Sequence, residues 1–259
     1  MKKLLIGSAL LSSLMFAGGG LTPVDETSTV AEIVVEEEAA WNFELSPYFA
    51  MSSISGTSAI GRPALADIDI DFNQVADALE FGLAAHFEAQ HHNGWGLWVD
   101  YNYVSLGGSQ DGPLGINSLK VDIKQAVFEG LGMYRQPLSS GTIDYMAGIR
   151  HWRMKVSTDL LIHREVDETW LDFIVGARWT ENLNDNWQFM LRGDIGAGDS
   201  DFTATAAAGF RYDINKYLDF DIQYKALWVD YENGTPQSVG YFKYDTVTYG
   251  PVLGLNFKF

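Results

Sequence analysis

Histidines with carboxylate neighbours are the first residues to weigh for chemistry. His163 stands beside Arg164 and Glu165 and close in sequence to Asp159 and Asp167. An acid with a histidine is the minimum needed to activate a water, but polar loops commonly carry such a set, and it is read as a solvated loop. His86 and Glu88, two residues apart, share one face of a strand; their expected inward position favours a structural hydrogen bond. His91 and His92 are expected in a turn, and His151 at a lipid-facing or interfacial position. The chain has no cysteine, which removes disulfides, thiolate nucleophiles and cysteine metal sites. Asp67, Asp69 and Asp71 alternate like a calcium ladder, yet the run lacks the glycine and distal glutamate of an EF-hand loop. The expectation is no catalytic residue, no metal and no cofactor.

A denser set of charges is spread over the chain. Glu44, Glu80, Glu88, Asp100, Glu129, Asp144, Asp172, Asp194, Asp219 and Asp221 are set against Arg135, Arg150, Arg178, Arg192, Arg211 and Lys225. They fall in segments with the period of a strand, on the face opposite the apolar residues, and so form a candidate luminal charge network. A buried unpaired charge costs on the order of several kcal/mol, so each base is expected to have a carboxylate within reach.

The elements that would carry these charges are clearest at the C-terminus. Tyr249, Pro251, Leu253, Leu255, Phe257 and Phe259 fall on one face, and Gly250, Val252, Gly254, Asn256 and Lys258 on the other. One face suits lipid and the other a packed or wet interior. Strand-like segments are expected at 41–53, 80–90, 95–106, 120–135, 142–156, 168–180, 186–196, 202–213, 217–231 and 241–259. Short connections at 91–94, 136–141, 181–185 and 214–216 alternate with longer ones at 54–79, 107–119, 157–167 and 232–240, as periplasmic turns alternate with outer loops in a barrel. The brief 197–201 connection is the exception. Trp41, Trp95, Tyr134, Trp187, Tyr217 and Phe259 lie beside the short connections or the termini, and Tyr103, Phe202, Trp228 and Tyr231 toward the long ones, in two aromatic belts. The expected fold is an all-β transmembrane antiparallel up-and-down barrel of about ten strands, with eight to twelve in range.

The N-terminal part reads differently. Lys2 and Lys3 precede an apolar run from Leu4 to Ala17 that ends in small residues, so 1–20 is expected to be a signal peptide, too short to span a bilayer. Residues 21–40 carry Asp25, Glu26, Glu32, Glu36, Glu37 and Glu38 without a base and are expected to be a flexible acidic periplasmic segment. The barrel is then 41–259. Mean hydropathy is −0.05, as befits strands that are half polar. A net charge of −17 argues against a nucleic-acid partner.

The stretch 54–79 is the longest connection and the only one with a helical pattern. Residues 67–72 read as a short strand, Asn73 as a helix N-cap, and Val75, Ala78 and Leu79 as one helical face. With Ile68, Ile70 and Phe72 this gives enough apolar surface to fold against the barrel mouth or into the upper lumen.

A terminal phenylalanine closing such a strand, with Tyr249, Leu253, Leu255 and Phe257 before it, resembles the assembly signal of bacterial outer-membrane barrels. Pro47-Tyr48-Phe49, Ser55-Gly56-Thr57, Phe81-Gly82, Trp95-Gly96-Leu97, Ala147-Gly148-Ile149-Arg150, Val175-Gly176-Ala177-Arg178-Trp179, Arg192-Gly193-Asp194-Ile195-Gly196 and Gly250-Pro251-Val252-Leu253-Gly254 together resemble a group of proteobacterial outer-membrane barrel proteins, roughly 250 residues long and of undefined function. The resemblance implies a small closed barrel in the outer membrane, inserted by the barrel-assembly machinery, and brings no active-site residues with it. The expected partners are outer-membrane lipids, and the expected state is a monomer. The expected role is a non-enzymatic envelope or surface-binding barrel with a largely plugged lumen. A narrow gated channel for small solutes is the alternative, and a surface-loop hydrolase comes third.

Overall fold

The computed structural model describes residues 40–61, 65–110, 119–159, 163–236 and 238–259. Ser109, Gln110, Leu119, Lys120, Asp159, His163 and Arg164 are described by backbone alone. The expected signal peptide and, but for Ala40, the acidic segment lie outside the described residues, as do the His163 and Asp159 side chains.

The elements run β1 (Trp41–Ala50), β2 (Ser53–Ile60), β3 (Ala66–Ile70), α1 (Phe72–Ala78), β4 (Leu79–His91), β5 (Trp95–Gln110), β6 (Leu119–Pro137), β7 (Gly141–Asp159), β8 (His163–Asn182), β9 (Trp187–Gly198), β10 (Phe202–Asn215), β11 (Leu218–Asn233) and β12 (Phe242–Lys258). They build a closed ten-stranded antiparallel barrel. From β4 to β12 each strand pairs with the next, and β12 returns to β1, Leu45 lying opposite Phe257. No helix of the described residues is long and apolar enough to cross a membrane.

β1 and β2 form one wall strand with a break at Met51 and Ser52. β12 pairs with β1 up to Ala50↔Val252, then with β2 from Tyr249↔Ser53 to Phe242↔Ile60. Opposite the break, Gly250 has φ +155°, and a Cβ there would overlap the Met51 carbonyl oxygen. The residues from Ile54 to Ile60 are therefore wall, not the start of a loop as expected. Ser53, Ser55 and Thr57 pair with outward-facing β12 residues, so this stretch lacks the apolar alternation that marks a lipid-facing strand.

On its other side β1 is joined to β4 only from Trp41↔His91 to Pro47↔Ala85. Pro47 has no N–H to extend the ladder. Above it β2 turns to pair with β3, Ile54 to Ile70 through Ser58 to Ala66, while β4 stays with β5. The seam is thus unzipped toward the end where α1 sits. The helix is capped by Asp71 and not by Asn73: Gln74 N donates to Oδ1 of Asp71 at 2.9 Å, and Asp71 N to Oε1 of Gln74 at 2.9 Å. This reciprocal box satisfies two donors, which a cap two residues later would leave open.

The composition of the outward face changes along β7. On β7, Tyr145 and Ile149 face out and Asp144 and Arg150 face in; higher up, Arg153 and Lys155 face out and Trp152, Met154 and Val156 face in. Lipid selects apolar outward side chains, and above the bilayer water selects polar ones, so the same register reads inverted. This is why β5, β7 and β8 run further than expected: Gln110↔Leu119 and Asp159↔His163 still pair. Their outward charges, such as Lys155 with Glu165 at 2.7 Å, resemble loop composition.

Candidate functional site

The luminal charges sort into tiers. In the tier nearest the short turns, Arg178 Nη1 donates to Glu88 Oε2 at 2.8 Å and its Nε to Asp144 Oδ2 at 2.8 Å, joining β8 to β4 and β7. Arg135 donates to the same two carboxylates, 2.6 Å to Asp144 and 2.9 Å to Glu88. Across the barrel, Arg211 on β10 donates to Glu44 at 2.8 Å and to Asp221 at 2.8 Å. Asp219 is held by Lys258 at 2.6 Å. Each guanidinium forks onto two carboxylates from different strands, the geometry in which buried ion pairs are best compensated.

The next tier is centred on Arg150, which is fully buried. Its Nε donates to Glu129 at 2.9 Å, and its Nη2 to Asp194 at 2.8 Å and Thr205 at 2.6 Å; Nη1 donates to Thr203 at 2.8 Å. Arg192 closes the set through Glu129 and Asp194, both at 2.8 Å. Between the tiers Trp98 is stacked by the Arg178 and Arg192 guanidinium groups, at 4.9 and 4.7 Å from its ring. Lys225 borders a small cavity shared with Asp100 and Glu129. Asp100 accepts from the Tyr48 hydroxyl at 3.0 Å.

Two predicted network members stand apart. Glu80 is exposed and accepts from Ser105 Oγ at 3.1 Å, because the β4–β5 register slips between Leu79 and Phe81 and turns it to the outer face. Asp172 points inward but accepts the Ser200 N–H at 2.9 Å. It thereby pins the β9–β10 turn, which is lower than its neighbours.

The low turn leaves β8 and β11 without a strand between them at the outer rim. Trp170 and Tyr231 meet across that notch with centroids 4.2 Å apart and planes at 8°, and Trp152 stacks on Trp170 at 5.3 Å. The Tyr231 hydroxyl and Asn233 both donate to Glu168, at 3.0 Å each. These rings, with Val127, Met154, Val229, Phe242 and Tyr244, make the apolar core of the outer third. Beside it is a cavity of about 410 Å³, which Ile68, Ile70, Phe72, Val75 and Leu79 all line. The opposite end of the lumen is a polar vestibule of about 590 Å³ reaching Asn42, Lys216 and Phe259.

His86 and the aspartate row are engaged in other contacts. His86 Nε2 is 3.7 Å from Glu88, a carboxylate already forked by two arginines, and its ring lies 3.7 Å from that of Trp98. Asp67 and Asp69 pair with Thr57 and Ser55 on the outward face while Asp71 is spent on the cap. Among the described residues no three histidine or carboxylate side chains gather as metal ligands.

The residues expected to signal assembly lie along β12 and just past it. Leu253, Leu255 and Phe257 pair with outward Ile222, Phe220 and Leu218, and Tyr249 with Ala226. Phe259 exchanges backbone hydrogen bonds with Phe43 at 3.0 Å, and their rings stack at 5.8 Å. Sequence reasoning missed Trp98, Lys258 and Thr203, which complete the tiers. Only their inward phase marks them. It also missed the cavity, whose lining comes from nine elements.

No protein-family profile and no curated protein matches the chain. Solved structures do. The outer membrane protease OmpT from Escherichia coli matches with a TM-score of 0.56 at 8% identity, over 85% of this chain and 96% of that one. The translocator domain of the autotransporter NalP from Neisseria meningitidis gives 0.48 at 10%, over 86% and 90%. Ail, the attachment invasion locus protein of Yersinia pestis, gives 0.37 at 10%, over 85% and 99%. At such identities the first likeness speaks for the fold alone, that of an outer-membrane β-barrel.

Proposed function

We propose that the protein is a monomeric outer-membrane barrel whose lumen is closed to solutes and which acts in the envelope by binding, not by catalysis. One observation carries the reading: Arg150 and Arg178, both buried, reach carboxylates on several strands and fill the barrel at mid-height with paired charge. In a barrel near the size at which side chains fill the interior, such tiers leave no aqueous path. Export through residues 1–20 and insertion by the barrel-assembly machinery complete the reading. OmpT is a protease, but here the carboxylate beside His86, that of Glu88, is already held by Arg135 and Arg178.

The second reading is a narrow gated channel. The periplasmic vestibule and the small polar cavities of about 80 and 70 Å³ around Tyr48 favour it. Swelling of proteoliposomes in small sugars separates the two. The closed barrel predicts swelling at the rate of empty liposomes; uptake at a porin's rate sinks it.

A further inference from the structure

We propose that the apolar cavity of the outer third takes up the acyl chain of an outer-leaflet lipid, entering tail-first through the unzipped seam between β1 and β4. The inference rests on the membrane-embedded reading of the barrel and is independent of whether the lumen conducts.

The cavity's walls come from Ile54 on β2, Ile68 on β3, Val75 on α1, Ile123 on β6 and Met154 on β7. Its volume of about 410 Å³ falls in the range of small-ligand sites, roughly 300–1,000 Å³. Three further lining residues, Phe49, Leu83 and Tyr103, belong to the outward face of the pleat, in phase with Leu45, Phe87 and Tyr101. An intact ladder keeps the two faces apart. Here the ladder stops at Pro47↔Ala85, and the cavity touches both.

The depth of this breach identifies what lies outside it. From Trp95, in the girdle beside the short turn, to Tyr103 the strand covers roughly 27 Å at about 3.4 Å per residue. At a strand tilt of about 40° this spans roughly 21 Å of the ~25 Å apolar band of outer-membrane barrels. Above Tyr103 the outward residue is Ser105, and above Met51 come Ser53, Ser55 and Thr57. The mouth therefore opens into the last hydrocarbon below the headgroups. A lipid chain is the occupant present there at high concentration.

Physical chemistry favours entry over vacancy. Ser58, Asn102 and Gln125 lie on its border, but most of the lining is apolar and offers a water no hydrogen-bond partner. Left empty, its lining atoms lose dispersion contacts outright. A chain end restores them without crossing water. The charged tiers stop short of the breach, as they must if hydrocarbon reaches the interior at this level.

The test uses the full chain refolded into phosphatidylcholine vesicles doped with a phosphatidylcholine bearing a diazirine near its chain end, with adducts mapped by mass spectrometry after irradiation. Adducts are expected on inward Ile68, Ile123 and Met154 as well as on outward Phe173 and Ile195. In Ile123→Trp, which fills the cavity, the inward adducts on Ile68 and Met154 should be lost and those on Phe173 kept. Val75→Trp, on α1 outside the wall ladder, should give the same loss if Ile123→Trp fails to fold. Labelling of outward residues alone, or inward labelling unchanged in the filled variants, overturns the inference. Absence of outward adducts overturns it together with the membrane reading beneath it.

Discussion

The middle of the lumen and its outer third are built from the same strands and solve opposite problems. At mid-height the wall is continuous, and the interior holds Arg150, Arg178, Arg192, Glu129 and Asp144, each paired across strands. In the outer third the wall is interrupted twice, and the interior is apolar. One interruption, above the β9–β10 turn, is sealed by Trp170 against Tyr231; the other, above Pro47, is bordered by a cavity. Charge is kept where the ladder excludes lipid, and carbon where it does not. Tyr48 marks the border: its ring lines the cavity and its hydroxyl meets Asp100.

The largest expected effect comes from breaking the charged side of this comparison. Arg150→Ala leaves Glu129 and Asp194 to Arg192 alone and takes the donors from Thr203 and Thr205; it should cost about 3–5 kcal/mol, the range for removing one partner of a buried pair, read from urea unfolding of the barrel in micelles. Met154→Asp puts an unpaired charge into the apolar side and should cost about 2.5–3.5 kcal/mol. A cost near zero would mean that water already reaches that level. Tyr231→Phe keeps the ring stack and removes one hydrogen bond to Glu168, for about 1.5 kcal/mol. It therefore tells whether the sealed notch is held by the stack or by its polar clasp.

How much of this was legible in the sequence follows from the same division. Within the bilayer band, apolar-out and polar-in alternation has one physical cause, and the strand from Trp95 or the face carrying Leu255 is readable without ambiguity. Above the band the cause reverses. Trp152, Met154 and Val156 face in while Arg153 and Lys155 face out, and the expected strand stops there, at 156, although the ladder runs on to Asp159. Local irregularities were beyond reach for a different reason. The register slip that turns Glu80 outward depends on how β4 meets β5, and the choice of Asp71 over Asn73 as cap depends on where β3 ends. The charged members of the tiers carry their inward phase in the sequence; their forked pairing is a matter of three dimensions. Of the 54–79 stretch, expected to fold against the barrel mouth or into the upper lumen, Ile68, Ile70, Phe72, Val75 and Leu79 border the cavity above the tiers.

Single-channel recording in planar bilayers on the chain lacking residues 66–77, beside the intact chain, tests the central claim most directly. If the paired charges at mid-height close the barrel, neither protein opens to a porin's conductance, because the deletion leaves Arg150, Arg178 and their carboxylates in place. Porin-level openings in the deleted chain, or already in the intact one, would contradict the account.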